Sequence, residues 1–110
     1  MPFYMYQGTY SKDSISALVE TPQNRTAAVS SVVEANGGKL IGCWMAFGEY
    51  DLVAIADMPD DEAMAGVSLA VSAVGTASSS KTTKLLTMGQ AVEAMKNAQG
   101  VVKSYSPPSK

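Results

Sequence analysis

Leu40-Ile41-Gly42-Cys43-Trp44-Met45-Ala46-Phe47, Gly48-Glu49-Tyr50-Asp51 and Leu52-Val53-Ala54-Ile55-Ala56 form the continuous stretch that decides the fold. Two apolar runs of strand length flank a short segment of turn formers, which reads as a β-hairpin. Strands are expected over 39–47 and 50–57. Directly after them, Asp57-Met58-Pro59-Asp60-Asp61-Glu62 opens a helix. Asp60 is placed to cap it. Asp61 and Glu62 fall in its first turn, where acidic side chains complement the helix dipole. Met64, Val67, Val71 and Val74 recur at helical spacing, and Gly75 supplies the stop.

On the N-terminal side, residues 3–10 (Phe-Tyr-Met-Tyr-Gln-Gly-Thr-Tyr) are aromatic-rich and read as a strand. Tyr4, Tyr6 and Tyr10 share one parity and so one face, with Phe3 and Met5 on the other. Asp13 or Ser14 is placed to cap a short turn holding Ile15, Leu18 and Val19. Thr21-Pro22 then restarts the helix, with Thr21 as N-cap and Pro22 in the first helical position. Val29, Val32 and Val33 follow the helical spacing, and Asn36-Gly37-Gly38 ends it. On the C-terminal side, residues 77–86 are a polar, Thr-rich strand expected at an edge or on a wet face. Thr87-Met88-Gly89-Gln90 is a capping-box pattern opening a further helix, with Ala91, Val92 and Met95 expected inward. A single domain is expected over 1–98. The tail, 99–110, ends in Ser106-Pro107-Pro108-Ser109-Lys110 and is expected to fray or to clasp a partner.

The element order is β-α-β-β-α-β with a short C-terminal helix. This is an α+β, ferredoxin-like arrangement: a four-stranded antiparallel sheet with two helices on one face. The other face is left bare, and the tyrosines and Trp44 are expected on it. An apolar face of that size marks an interface or a ligand site. The economical cover is a second copy of the chain, sheet against sheet. Composition agrees: charged residues are only 16% against a usual ~25%, while apolar residues reach 46%.

Several functions are excluded. The net charge is −2, from 8 basic and 10 acidic residues well mixed along the chain. No basic stripe exists to neutralise phosphates, so no nucleic-acid partner is expected. No apolar run approaches the ~20 residues needed to span a bilayer, so no membrane partner is expected. Met1-Pro2-Phe3-Tyr4-Met5 does not read as a signal peptide. The lone Cys43 fits a reducing compartment, so a cytoplasmic location is expected. The Asn24-Arg25-Thr26 glycosylation pattern is then read as chance. Histidine is absent, which removes imidazole bases, His-dependent triads and proximal haem ligation. With one cysteine, a zinc site would rest on carboxylates alone. No phosphate-binding glycine loop is present. No metal and no cofactor are expected, and Asp60-Asp61-Glu62 is explained by its helix start rather than by a bound cation.

Four segments in order carry a resemblance: Thr21-Pro22-Gln23-Asn24-Arg25-Thr26, Gly37-Gly38-Lys39, Gly48-Glu49-Tyr50-Asp51 and Pro59-Asp60-Asp61-Glu62. Together the chain resembles the GYD-domain family across residues 3–95. The resemblance implies a fold of the dimeric α/β-barrel group and a homodimer, or a higher oligomer built on dimers. It implies no substrate.

The candidate ligand-binding residues are Arg25, Trp44, Tyr50, Asp51, Tyr4 and Tyr6. Arg25 lies four residues before Val29 and seven before Val32, on the apolar face of its expected helix. An inward arginine needs a carboxylate, because an unpaired buried charge is costly. Asp51, Glu49 and Asp57 are the choices, and an Arg25–Asp51 ion pair is expected. The sharper alternative is a guanidinium clamp for a small carboxylate. Tyr50 and Asp51 suit a proton-transfer couple. The structural reading is favoured, with Tyr50 packed in the sheet and Asp51 bonded to backbone amides at the turn. Tyr4, Tyr6, Tyr10 and Trp44 line either a cavity between the sheet and its partner or a dry interface. Cys43 reads as an inert core thiol. Two functions follow. One is a small-molecule-binding or structural homo-oligomer without metal or nucleotide. The other, by analogy with the dimeric α/β-barrel group, is a cofactor-independent enzyme acting on a small aromatic or oxo-carboxylate compound. There Arg25 clamps the carboxylate, Asp51 moves the proton, and Tyr50 or Trp44 contacts the ring.

Overall fold

A computed structural model describes residues 2–109. Its elements are β1 (Phe3–Tyr10), α1 (Lys12–Glu20), α2 (Thr26–Ala35), β2 (Lys39–Met45), β3 (Leu52–Asp57), α3 (Asp61–Ala73), β4 (Ala77–Leu85) and α4 (Met88–Val102). The strands form one antiparallel sheet in the order β2-β3-β1-β4. With α2 and α3 on one face, this is the α+β ferredoxin-like architecture.

The helix ends are set by local chemistry. Asp60 accepts from the Ala63 amide at 2.8 Å and caps α3. Thr87 and Gln90 close a reciprocal capping box at the start of α4. Both α2 and α3 terminate in Schellman motifs. The Gly37 and Gly38 amides return to the Glu34 and Val33 carbonyls, and the Gly75 and Thr76 amides return to Ser72 and Val71. Gly37 and Gly75 hold φ of 82° and 79°, the left-handed region that a Cβ disfavours.

Register assigns every strand residue to a face. Tyr6 pairs with Ala54 and Thr82, and Ala54 pairs with Cys43, so these four share one face. That face meets α2 and α3, and its core is Tyr4, Tyr6, Val33, Ala54, Ala56, Met58, Met64 and Val67. The opposite face carries Phe3, Met5, Val53, Ile55, Trp44 and Leu85, and no helix among the described residues covers it. Met58 is 0% exposed, and its sulfur and the Asp57 carbonyl oxygen both crowd the place where a Cβ on Gly38 would stand. Glycine is therefore required at 38 for the methionine to seat.

Three expectations are corrected. First, α2 starts at Thr26 rather than at Pro22. Asn24 accepts from the Thr26 amide at 2.9 Å, an Asx-turn that ends the non-helical stretch beginning after Glu20. Second, Tyr4 and Tyr6 share a face as expected, but it is the helix-covered one. Trp44 projects from the other side, its ring lying across Gly42. Third, Ala91, Val92 and Met95 do not point inward. No residue of α4 is buried, and α4 packs closely against none of the other elements. It stands off the body, stretching the molecule to 59 Å along its long axis. The radius of gyration is 17.9 Å, where a compact domain of this length has roughly 13 Å. The helix also runs past residue 98 to Val102.

Candidate functional site

Between α2 and α3 the sheet is under-filled. A cleft of about 300 Å³ opens there. Its floor is Gly8, Leu52, Ala54 and Ala56, with Tyr6 beside them. Its walls are Ala28, Val29, Val32 and Val33 on α2 and Met64, Val67, Ala70, Val71 and Val74 on α3 and at its end. The cause is local. In β3 the helix-facing positions are Leu52, Ala54 and Ala56, while the larger Val53 and Ile55 face away. Two helices laid over alanines and a glycine leave a gap that branched residues would have filled.

The cleft has an apolar end and a polar end. Strand register puts Ala56 beside Tyr4, near the start of α3 and the end of α2, so Met64 and Val33 close the apolar end. The other end holds Tyr10, Arg25, Thr76 and Ala77. Tyr6 connects the two. It is 6% exposed, and its ring leans over Gly8, with the hydroxyl oxygen 3.1 Å from where a Gly8 Cβ would lie. That hydroxyl is buried and has no hydrogen-bond partner among the described residues. Such a group costs about 1–3 kcal/mol. Burial pushes the Tyr6 phenol up, and the approach of the Ser80 hydroxyl offsets part of that, although its geometry falls short of a hydrogen bond. Burial also pushes the Tyr10 phenol up, while the Arg25 guanidinium pulls it back; Cys43, Asp51 and Tyr6 add smaller upward effects. Tyr10 therefore sits within electrostatic reach of both Tyr6 and Arg25.

Arg25 is the N-cap residue of α2 and exposed, not inside a helical face. Its guanidinium donates to Gln23 Oε1 at 3.0 Å. The expected Arg25–Asp51 pair does not form: among the described residues the ion pairs are Lys84–Asp61 and Lys96–Glu93. Asp51 is engaged elsewhere. Its Oδ2 accepts from the Tyr10 amide at 3.0 Å, and its own amide donates to Gly8 O at 2.9 Å. The Thr9 hydroxyl donates to Glu49 O at 3.1 Å. These bonds tie the hairpin loop to the end of β1, where the β1–β4 register slips between Thr9 and Tyr10. Asp51 thus satisfies an amide in the irregular stretch, the backbone role favoured from sequence, on β1 rather than in its own turn.

Tyr4 belongs to a separate cluster. Its hydroxyl donates to Asp61 Oδ1, and Lys84 Nζ donates to the same oxygen at 3.0 Å while lying 5.9 Å from the Tyr4 ring centre. The hydrogen bond to Asp61, followed by burial, pushes the Tyr4 phenol up to about 12. The same bond, with Lys84, holds the Asp61 carboxyl below its ordinary value. Of the six sequence candidates, Tyr6 and Arg25 come together at the cleft. Tyr4 lies in the neighbouring cluster, and Trp44, Tyr50 and Asp51 line neither. The cleft walls were missed from sequence, although the small–large–small alternation Ala54-Ile55-Ala56 was a readable signal. Among the described residues no group of three or more His, Cys, Asp or Glu side chains is placed to hold a metal ion. No helix among them is long and apolar enough to cross a membrane.

A protein solved as FFRP-DM1 is similar to this chain at 10% identity, covering 78% of this chain and 100% of that one, with a TM-score of 0.49. No curated protein matches the sequence. The model of the GYD domain matches residues 4–104, from β1 to just beyond α4, so the chain belongs to the GYD-domain family.

Proposed function

We propose that this protein is a self-associating module that holds a small molecule in the cleft between α2 and α3. The cleft with its buried, unpartnered Tyr6 hydroxyl carries the reading. A site of this kind, apolar with a few converging polar groups, is the usual form of a small-molecule pocket, and about 300 Å³ lies at the small end of the range. The titratable side chains in its lining are Tyr6, Tyr10 and Arg25. That set suits binding and orientation.

Self-association is supported by the two apolar surfaces left uncovered in one chain. One is the open sheet face with Phe3, Met5, Val53, Ile55 and Trp44. The other is the stripe Met88, Val92, Met95 and Val102 of α4, all exposed. A second copy is the occupant that covers both.

Native mass spectrometry of the protein purified from its host tests both parts. The expected result is an even-numbered oligomer with a reproducible extra mass, and an Ala54→Leu variant that keeps the oligomer and loses the mass. A bare wild-type oligomer, or a mass retained in Ala54→Leu, removes the cleft. A monomer removes the self-association.

A further inference from the structure

We infer that the occupant of the cleft is an anionic amphiphile: a monocarboxylic acid on a slender apolar body, with its carboxylate at the Tyr6–Tyr10–Arg25 end. This rests on the reading that the cleft binds a small molecule, and it fixes the chemical class and the orientation.

Three observations converge. The apolar end is closed by Val33, Ala56 and Met64 and presents no polar side chain, so it accepts hydrocarbon. The Tyr6 hydroxyl is a donor in a dry place, and its lean over Gly8 aims it along β1 toward Tyr10. A ligand oxygen is the acceptor it lacks. At the mouth, Arg25 has no carboxylate partner within ion-pair distance among the described residues and bonds only a neutral amide oxygen. A guanidinium fork matches a carboxylate in two-point geometry. The first turn of α2 adds to the same field. Its N-cap, Arg25, makes no side-chain cap, and Ala28 in that turn lines the cleft.

One guanidinium and one hydroxyl balance a single negative charge, so a carboxylate fits better than a phosphate, which demands more cations. Asp51 forms no ion pair with Arg25, and its Oδ2 accepts from the Tyr10 amide. Size sets the body. At roughly 30 Å³ for each water-sized group, about 300 Å³ takes about ten non-hydrogen atoms. That is a medium-chain acid or a single-ring aromatic acid.

The test compares octanoate with 1-octanol, which share an apolar body and differ in the head, by calorimetric titration of the full-length protein. Octanoate is expected to bind at least ten-fold tighter than 1-octanol. Arg25→Gln is expected to erase that difference while leaving 1-octanol binding unchanged. Tyr6→Phe is expected to weaken octanoate several-fold while unfolding at the same temperature or higher, since it removes only the unpaired hydroxyl. Ala54→Leu is expected to lose both ligands. Equal affinity for the two ligands, or an octanoate preference that survives Arg25→Gln, overturns the anionic head and keeps the cleft. Binding of neither ligand, or binding unchanged in Ala54→Leu, overturns the cleft reading itself.

Discussion

The two faces of β3 invert the usual division of side-chain size. On the helix-covered face β3 presents Ala54 and Ala56, beside Gly8 of β1. On the uncovered face it presents Val53 and Ile55, beside Met5 and Trp44. In a domain that folds for its own sake, bulk belongs under the helices, because a gap there forfeits dispersion contacts. In β3 bulk faces outward and a gap lies inward, which Tyr4 and Tyr6 of β1 fill only in part. On the proposed reading, the inward gap takes a ligand and the outward bulk meets another chain.

That contrast breaks or sharpens through substitutions on either side. The largest effect is expected from Met58→Ala. Met58 is fully buried at the apolar end of the covered face, so its loss should cost about 3 kcal/mol in denaturant unfolding. A cost under about 1 kcal/mol would mean that this end is as loosely filled as the cleft. On the other face, Ile55→Glu should leave the chain folded and weaken self-association by about a hundred-fold, roughly 2.7 kcal/mol, as read by sedimentation equilibrium. An unchanged association constant would free that face of its assigned role. Asp51→Ala should cost about 2 kcal/mol by stranding the Tyr10 amide, whereas Asp51→Asn keeps an acceptor there and should cost less than about 1 kcal/mol. A matching loss in Arg25→Ala, which should otherwise leave stability unchanged to within about 0.5 kcal/mol, would restore the ion pair that the geometry denies.

Ala54→Val sharpens the contrast further. In a filled core the added bulk costs about 1–3 kcal/mol. In the cleft it should be neutral or stabilising by up to about 1 kcal/mol in thermal unfolding. The smallest effect is expected at the rim of the covered face, from Tyr4. Its phenol is raised from 10.0 to about 12 in the folded chain. The unfolded chain therefore gives up that proton first. The contribution is complete below about pH 10 and is lost as the pH rises toward about 12. Melting curves across that window should fall less steeply for Tyr4→Phe than for the parent chain. Parallel curves would show that Asp61 and Lys84 hold the rim without the hydroxyl.

Much of the frame was legible in the residues because it is written in local chemistry. Asp60, Thr87 with Gln90, Gly37 and Gly75 each satisfy backbone groups within a few positions of themselves, and each is where the pattern put it. β1 also runs from Phe3 to Tyr10 as read. What failed was decided across the sheet. Parity grouped Tyr4 with Tyr6 correctly, yet both faces of β1 are apolar, so parity alone did not say which one meets the helices. Arg25 was placed on a helix face only by extending α2 back to Pro22, and the Asn24 turn moves it to the cap. The standing-off of α4 is invisible to a periodicity that is the same whether the stripe meets its own chain or another. Of the cleft, Tyr6 and Arg25 were named from sequence, whereas the alanines that leave it open carry no chemistry of their own and were passed over.

Trp44 is the single tryptophan of the chain, lies across Gly42 on the open face and is 58% exposed. Ultraviolet excitation at the red edge of protein absorbance therefore illuminates that face alone. Its emission should be long-wavelength and readily quenched by iodide when the face is wet, and shift to the blue when a neighbour covers it. The molecule carries an optical reporter for the open face of its sheet, without a label.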